Sequence, residues 1–200
     1  MIYSDKFVEE TPFIYRLKLP FDTVYTSVFL VKSEEGYILV DCATTDLDVD
    51  EGIIPALIEL GVRLSDVKKL VVTHNHSDHA GGLPRLRYHL PHVEVVSDER
   101  ELYPSVCTYY LPGHTKDFVG ILDLRTNTLI SGDGLQGAGV DKYKTSVPFK
   151  EEYLKTLERV INNERIENIL FSHAYEPWFV DKILGRDKVI AAVCECKKYI

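Results

Sequence analysis

This sequence lacks what a membrane span, a disulfide framework or a repeat array needs. No apolar run among its 200 residues approaches the ~20 that a membrane-spanning helix requires. Cysteine is scarce: Cys42, Cys107, Cys194 and Cys196 are too few for a disulfide framework, and none stands in a C-x-x-C pair. That usage points to a reducing, cytoplasmic home. Cys194 and Cys196 are two apart, so on a helix they do not face each other and read as ordinary thiols. Basic charge is the minority: 23 Lys and Arg against 31 Asp and Glu leave a net charge of −8. An acidic chain is a poor partner for nucleic acid or an anionic membrane, and neither is expected to bind here. The first twenty residues, MIYSDKFVEETPFIYRLKLP, have neither the basic start nor the apolar run of a signal peptide. Repeats, low-complexity tracts and Pro/Gly/Ser linkers are absent too, which predicts one domain over residues 1–200. A chain of this length buries roughly 70% of the surface it exposes when unfolded, so a core needs no staple.

What is present reads as alternating β and α segments. Residues 13–19 alternate, and 24–31 and 36–41 are β-rich runs around a Glu-Glu-Gly turn. Residues 48–60 carry helical apolar spacing, with Asp48 and Glu51 as a capping box and Gly61 as the stop; Pro55 predicts a later start. Strands are expected at 67–73, 93–97, 106–111, 118–124, 127–131 and 168–172. Helices are expected at 81–90, 149–163 and 179–196. In the second of these, Phe149, Tyr153, Leu154, Leu157, Val160 and Ile161 share one side. Two runs of strands, each followed by helices, predict a layered α/β sandwich.

Residues 73–79 read Thr-His-Asn-His-Ser-Asp-His. Three imidazoles and a carboxylate within six residues form a metal-donor composition suited to Zn, Fe, Cu or Ni. The cluster follows a buried-type strand, and the carboxyl ends of strands are where open α/β sheets place their ligands. His74 and His76 can serve one ion; Asp78 and His79, further round the turn, can face a second. Gly81-Gly82 is expected to let the backbone turn tightly there. His114, Asp133 and His173 each lie just past a predicted strand. His89 and His92 have no donor near them in sequence and read as surface residues.

With these residues the chain resembles the metallo-β-lactamase superfamily of hydrolases. Asp41, the His74-x-His76-x-Asp78-His79 signature, Gly113-His114, Gly132-Asp133 and Ser172-His173 fall where that family has its five motifs. The resemblance implies a four-layer αββα sandwich with the site at one edge of the two sheets. It implies two divalent metal ions, zinc first, with iron or manganese as alternatives. His74, His76 and His114 would hold one ion, Asp78, His79 and His173 the other, with Asp133 bridging and Asp41 orienting a ligand through its second ring nitrogen. The β-lactamases of this fold carry a cysteine where this chain has Asp133 and usually lack a histidine after the signature aspartate. The dinuclear iron redox branch has Glu in the place of His76. Both branches are therefore disfavoured.

The implied reaction is hydrolysis of a small-molecule ester, thioester, lactone or phosphodiester by a hydroxide shared between ions about 3.5–4 Å apart. Asp78 would orient that hydroxide and carry a proton. Lys142 and Tyr175 resemble glutathione-contacting residues of glyoxalase II by their offsets, and Tyr143 is shifted by one from its counterpart. The alternative is a mononuclear iron dioxygenase of a sulfur compound, built on His74, His114 and Asp133. A nucleic-acid processing hydrolase of the same fold is the third reading, opposed by the charge. The sequence does not fix the oligomeric state.

Overall fold

The computed structural model describes residues 4–135, 147–174 and 180–200. The chain divides after Ser97 into two compact units.

In the N-terminal unit, six strands form one sheet in chain order. They are β1 (Val8–Thr11), β2 (Ile14–Phe21), β3 (Val24–Lys32), β4 (Tyr37–Val40), β5 (Val67–Val71) and β6 (Glu94–Val96). The first four pair antiparallel; β4, β5 and β6 run parallel. Parallel neighbours need a crossover, and a helical one links β4 to β5. It begins at Asp46, passes through a π-helical turn at Asp48–Ile53 and continues as α1 (Ile54–Glu59). The later start expected from Pro55 is not seen: Pro55 lies inside this continuous helical segment, directly after the π-helical turn, where the hydrogen-bond ladder changes register. The capping box lies three residues before the expected one: Thr45 Oγ1 accepts the Asp48 N–H, and the Asp48 carboxylate accepts the Thr45 N–H. Gly61 ends the helix at φ +79°, and Val62 N–H reaches back to Leu57 C=O at 2.9 Å, as expected of a C′ glycine.

One side of this sheet packs Leu17, Leu19, Val28, Leu30, Leu39 and Leu70 against Val49, Ile53, Leu57 and Leu86 of the helices. The alternation of 13–19 suggests a half-buried strand, yet Arg16 is also buried. Its guanidinium lies 3.1 Å from Glu10 and over the Phe29 ring, so a paired charge replaces solvent.

The second unit has the sheet order β12-β11-β10-β9-β8-β7. Its strands are β7 (Glu101–Tyr103), β8 (Val106–Tyr110), β9 (Val119–Asp123), β10 (Thr128–Gly132), β11 (Asn168–Phe171) and β12 (Lys182–Leu184). Among the described residues of this unit only β10 and β11 pair in parallel, across α4 (Lys150–Asn162). Tyr153, Leu157 and Val160 of α4 enter the core as expected, but Leu154 stays on the outer side, 41% exposed. The helix expected at 179–196 starts later, as α5 (Arg186–Cys196). Ahead of it β12 adds an antiparallel edge strand, and Gly185 at φ +99° separates the two. Cys194 is exposed and Cys196 buried, so they do occupy different faces of α5. Burial pushes the Cys196 thiol up to about 12 and raises that of Cys42.

In the N-terminal unit, α2 (Ser77–Ala80) and α3 (Leu83–His89) replace the single helix expected at 81–90. Gly81 and Gly82 between them have ordinary negative φ, −62° and −80°. They are needed for space, not for backbone freedom: a Cβ would lie 2.0 Å from Thr44 O at Gly81 and 2.2 Å from Cys42 O at Gly82. His89 is also more than a surface residue. Its Nε2 lies 2.7 Å from Asp50 Oδ1, and Arg85 Nε donates to the same carboxylate at 2.8 Å, tying α3 to the crossover helix.

Two stability measurements check these packing arguments. Gly81→Ala should lower the urea midpoint by the equivalent of about 1–3 kcal/mol or more from overpacking. Gly61→Ala, which meets open space, should cost only the left-handed backbone strain of roughly 1–2 kcal/mol. A Gly81→Ala protein as stable as the parent would refute the close approach. The Arg85 hydrogen bond, then that of His89, holds the Asp50 carboxyl down at about 2. Its stabilising contribution is full above the unfolded carboxyl value of ~3.9 and is lost as pH falls through about 2. Asp50→Asn should therefore flatten Tm against pH over that acid range, and an unchanged slope would contradict the pairing.

Candidate metal centre

Topology sets where the donors fall. Because β4 and β5 are parallel neighbours, their carboxyl ends emerge at the same edge, bringing Asp41 beside Thr73 and His74. Asp41 donates its N–H to Val71 C=O at 2.8 Å, and Cys42 donates its own to His79 C=O at 2.7 Å. Asp41 and Ala43 both adopt left-handed backbone, φ +65° and +55°. That conformation is costly outside glycine and persists only where surrounding contacts over-determine it.

The Asp41 carboxylate is a hub. It accepts the Thr73 N–H on Oδ1 at 2.8 Å and the Thr73 hydroxyl on Oδ2 at 2.9 Å. His79 Nδ1 lies 2.7 Å from the same Oδ2. An ionised carboxylate only accepts, so His79 carries its proton on Nδ1 and its lone pair on Nε2. This is how a buried carboxylate prepares an imidazole to ligate a metal. That Nε2 lies 3.3 Å from Asp78 Oδ2. Two lone-pair donors at such spacing repel unless a cation lies between them, so the pair fits a metal ion. The rings of His74 and His76 are 4.5 Å apart, and those of His74 and His79 4.3 Å. His74, Asp78 and His79 are buried and His76 is exposed. Thr26 Oγ1 donates to the Asp78 carbonyl at 3.0 Å and anchors α2 to β3.

The second unit follows the same rule. Strands β8, β10 and β11 run in one direction, since β8 and β10 are each antiparallel to β9. His114, Asp133 and His173, just past their carboxyl ends, therefore share one edge of that sheet. A bulge between Ile130 and Gly132, with Gly132 at φ +52°, bends the end of β10 before Asp133. The His114 turn is held by α4: Phe149 N–H donates to Gly113 C=O, and Thr156 Oγ1 donates to Pro112 C=O at 2.6 Å. Gly113 is required there, since a Cβ would meet the Tyr153 ring at 2.5 Å. Asp133 Oδ2 lies 3.9 Å from His114 Nε2, and its Oδ1 lies 3.4 Å from His173 Nε2. One carboxylate thus presents each oxygen to a different imidazole.

Of the seven sequence-predicted donors, His74, His76, Asp78 and His79 follow β5 or lie in α2 of the N-terminal unit, and His114, Asp133 and His173 follow strands of the second. Their nitrogen and oxygen chemistry fits divalent zinc, iron or manganese. Lys142, Tyr143 and Tyr175 lie outside the described residues. The role of Thr73 was not evident from the sequence; its place directly before the first histidine was the available signal.

Residues 21–108 match the family model of the metallo-beta-lactamase superfamily. The chain is 28% identical over 138 residues to a hydroxyacylglutathione hydrolase of Vibrio parahaemolyticus, covering 60% of this chain and 53% of that protein. It is 23% identical to an atrochrysone carboxyl ACP thioesterase of Claviceps purpurea, covering 67% and 47%. The chain thus spans about half the length of these curated relatives. Among solved structures it is similar to the metallo-β-lactamase FIM-1 of Pseudomonas aeruginosa, with a TM-score of 0.73 at 16% identity over 96% of this chain and 95% of that one. That likeness shows the fold, the α/β sandwich expected from the sequence. Residues 21–108 are thus similar to the metallo-beta-lactamase superfamily, and the chain shares the fold of that solved β-lactamase.

Proposed function

We propose that this protein is a dinuclear metal-dependent hydrolase acting on a small ester or thioester. The observation that carries the reading is Asp133, whose two oxygens face two different histidines, the arrangement of a carboxylate shared between ions. His74, His76 and His114 would hold one ion, and Asp78, His79 and His173 the other. When bound, the ions would supply an activated water at neutral pH and polarise the carbonyl under attack. Zinc is the first assignment and iron or manganese the alternatives.

The remaining steps belong to the chain. Asp41 holds His79, and with it α2, in a fixed orientation before substrate arrives. The Asp78 carboxylate, at the start of α2, would orient the attacking water, take its proton and return it to the leaving group. No serine or cysteine nucleophile is needed; burial keeps the Cys42 thiol protonated beside Asp41. Thioesters are favoured over lactones and phosphodiesters because two curated relatives carry names of thioester-cleaving enzymes. Lys142 and Tyr175 would contact the polar part of the substrate, with Tyr143 beside them. No helix among the described residues is long and apolar enough to cross a membrane; a small soluble substrate met in the cytoplasm suits the charge and cysteine usage.

The test is metal content followed by turnover. Protein saturated with zinc should bind about two ions per chain, and His79→Ala should lose one. Hydrolysis of a glutathione thioester should proceed without oxygen. Lys142→Ala should raise KM with kcat nearly unchanged, the mark of a contact equal in ground and transition states. One iron per chain with oxygen consumption would overturn the reading in favour of a dioxygenase.

A further inference from the structure

We propose that Thr73 is a positioning residue that extends the reach of Asp41 to a second metal donor, His74. The inference rests on the reading of His74 and His79 as donors. Its basis is proton bookkeeping around one hydroxyl. Thr73 Oγ1 lies 2.9 Å from Asp41 Oδ2 and 3.1 Å from His74 Nδ1. A hydroxyl has one proton to give. Beside an ionised carboxylate that proton goes to Asp41, so the Thr73 oxygen can only accept from the imidazole. His74 then carries its proton on Nδ1, and its lone pair is fixed on Nε2.

The same Oδ2 receives the Nδ1 proton of His79 directly, at 2.7 Å. One carboxylate oxygen thereby sets the tautomers of two histidines, one by contact and one through a threonine. All four residues are buried: Asp41, Thr73 and His79 are at most 1% exposed and His74 is 3% exposed. Water therefore competes little for the relay. The Thr73 backbone N–H, bonded to Oδ1 at 2.8 Å, holds the hydroxyl in register. Valine has nearly the shape of threonine and none of its hydrogen bonding; serine keeps the hydroxyl.

The experiment is two-bond 1H–15N NMR of the histidine side chains in metal-free protein at neutral pH, with zinc affinity measured by chelator competition. In the wild type, His74 and His79 should both show a protonated Nδ1 and a bare Nε2. Thr73→Val should leave His79 unchanged, shift His74 toward the other tautomer and weaken the tighter or weaker of the two zinc sites by roughly 10–100-fold. Thr73→Ser should restore both readouts. A wild-type His74 protonated on Nε2, or a Thr73→Val protein identical to wild type in tautomer and zinc affinity, would overturn the proposal. If Thr73→Val does not fold, the wild-type spectrum and the serine variant decide it. Wild-type protein that binds no zinc would instead sink the metal reading, while the NMR pattern still settles the Thr73 relay.

Discussion

The site in the N-terminal unit depends on a single buried carboxylate. Asp41 stands at the end of β4, in a backbone conformation that costs roughly 1–2 kcal/mol for a non-glycine residue. Its backbone N–H is bonded to β5, its oxygens to Thr73 and His79, and the next residue to the carbonyl of His79. Those bonds lock the carboxyl end of one strand to its parallel neighbour and to α2. The close approach of Gly81 and Gly82 to the backbone at Cys42 and Thr44 completes the enclosure. Removing the carboxylate would leave a strained turn without its reason and two imidazoles without a fixed tautomer.

The C-terminal unit solves the same problem by different means. Its donors rest on a bulge at Gly132, on the tight Gly113 turn under Tyr153 and on the end of β11. Asp133 there faces His114 and His173, one with each oxygen, whereas the buried Asp41 is bonded to Thr73 and His79. Two aspartates that follow strand ends thus differ in surroundings, and their contacts distinguish them.

Much of this was legible in the sequence because strand ends are legible. Runs such as 24–31 and 67–73 are rich in apolar and β-branched residues, and a polar residue just past such a run must lie at the sheet edge. That argument, with the donor-rich run 74–79, picked out the seven candidate donors and Asp41. The parts that were not legible depend on contacts distant in sequence. The short edge strands β1, β7 and β12 have little apolar signal of their own and exist because a neighbour offers a ladder. The glycine pair 81–82 looked like a flexible turn, because the backbone that crowds it lies some forty residues earlier. His89 looked solitary because its partner Asp50 is 39 positions away. Arg16 interrupted an alternating strand, and only Glu10 and Phe29 explain why it is buried. Thr73 is not legible in the sequence, because a hydroxyl between a carboxylate and an imidazole is recognised only when both distances are known.

The central claim is that Asp41 commits His74 and His79 to coordinate through Nε2. The most direct test is crystallography of the zinc-soaked protein with anomalous difference maps at the zinc edge. Anomalous peaks are predicted about 2.0–2.1 Å from Nε2 of each histidine, with Nδ1 of His79 still on Asp41 and Nδ1 of His74 still on Thr73. A zinc ion bound to Nδ1 of either ring, or an anomalous map with no peak at these histidines under saturating zinc, would contradict it.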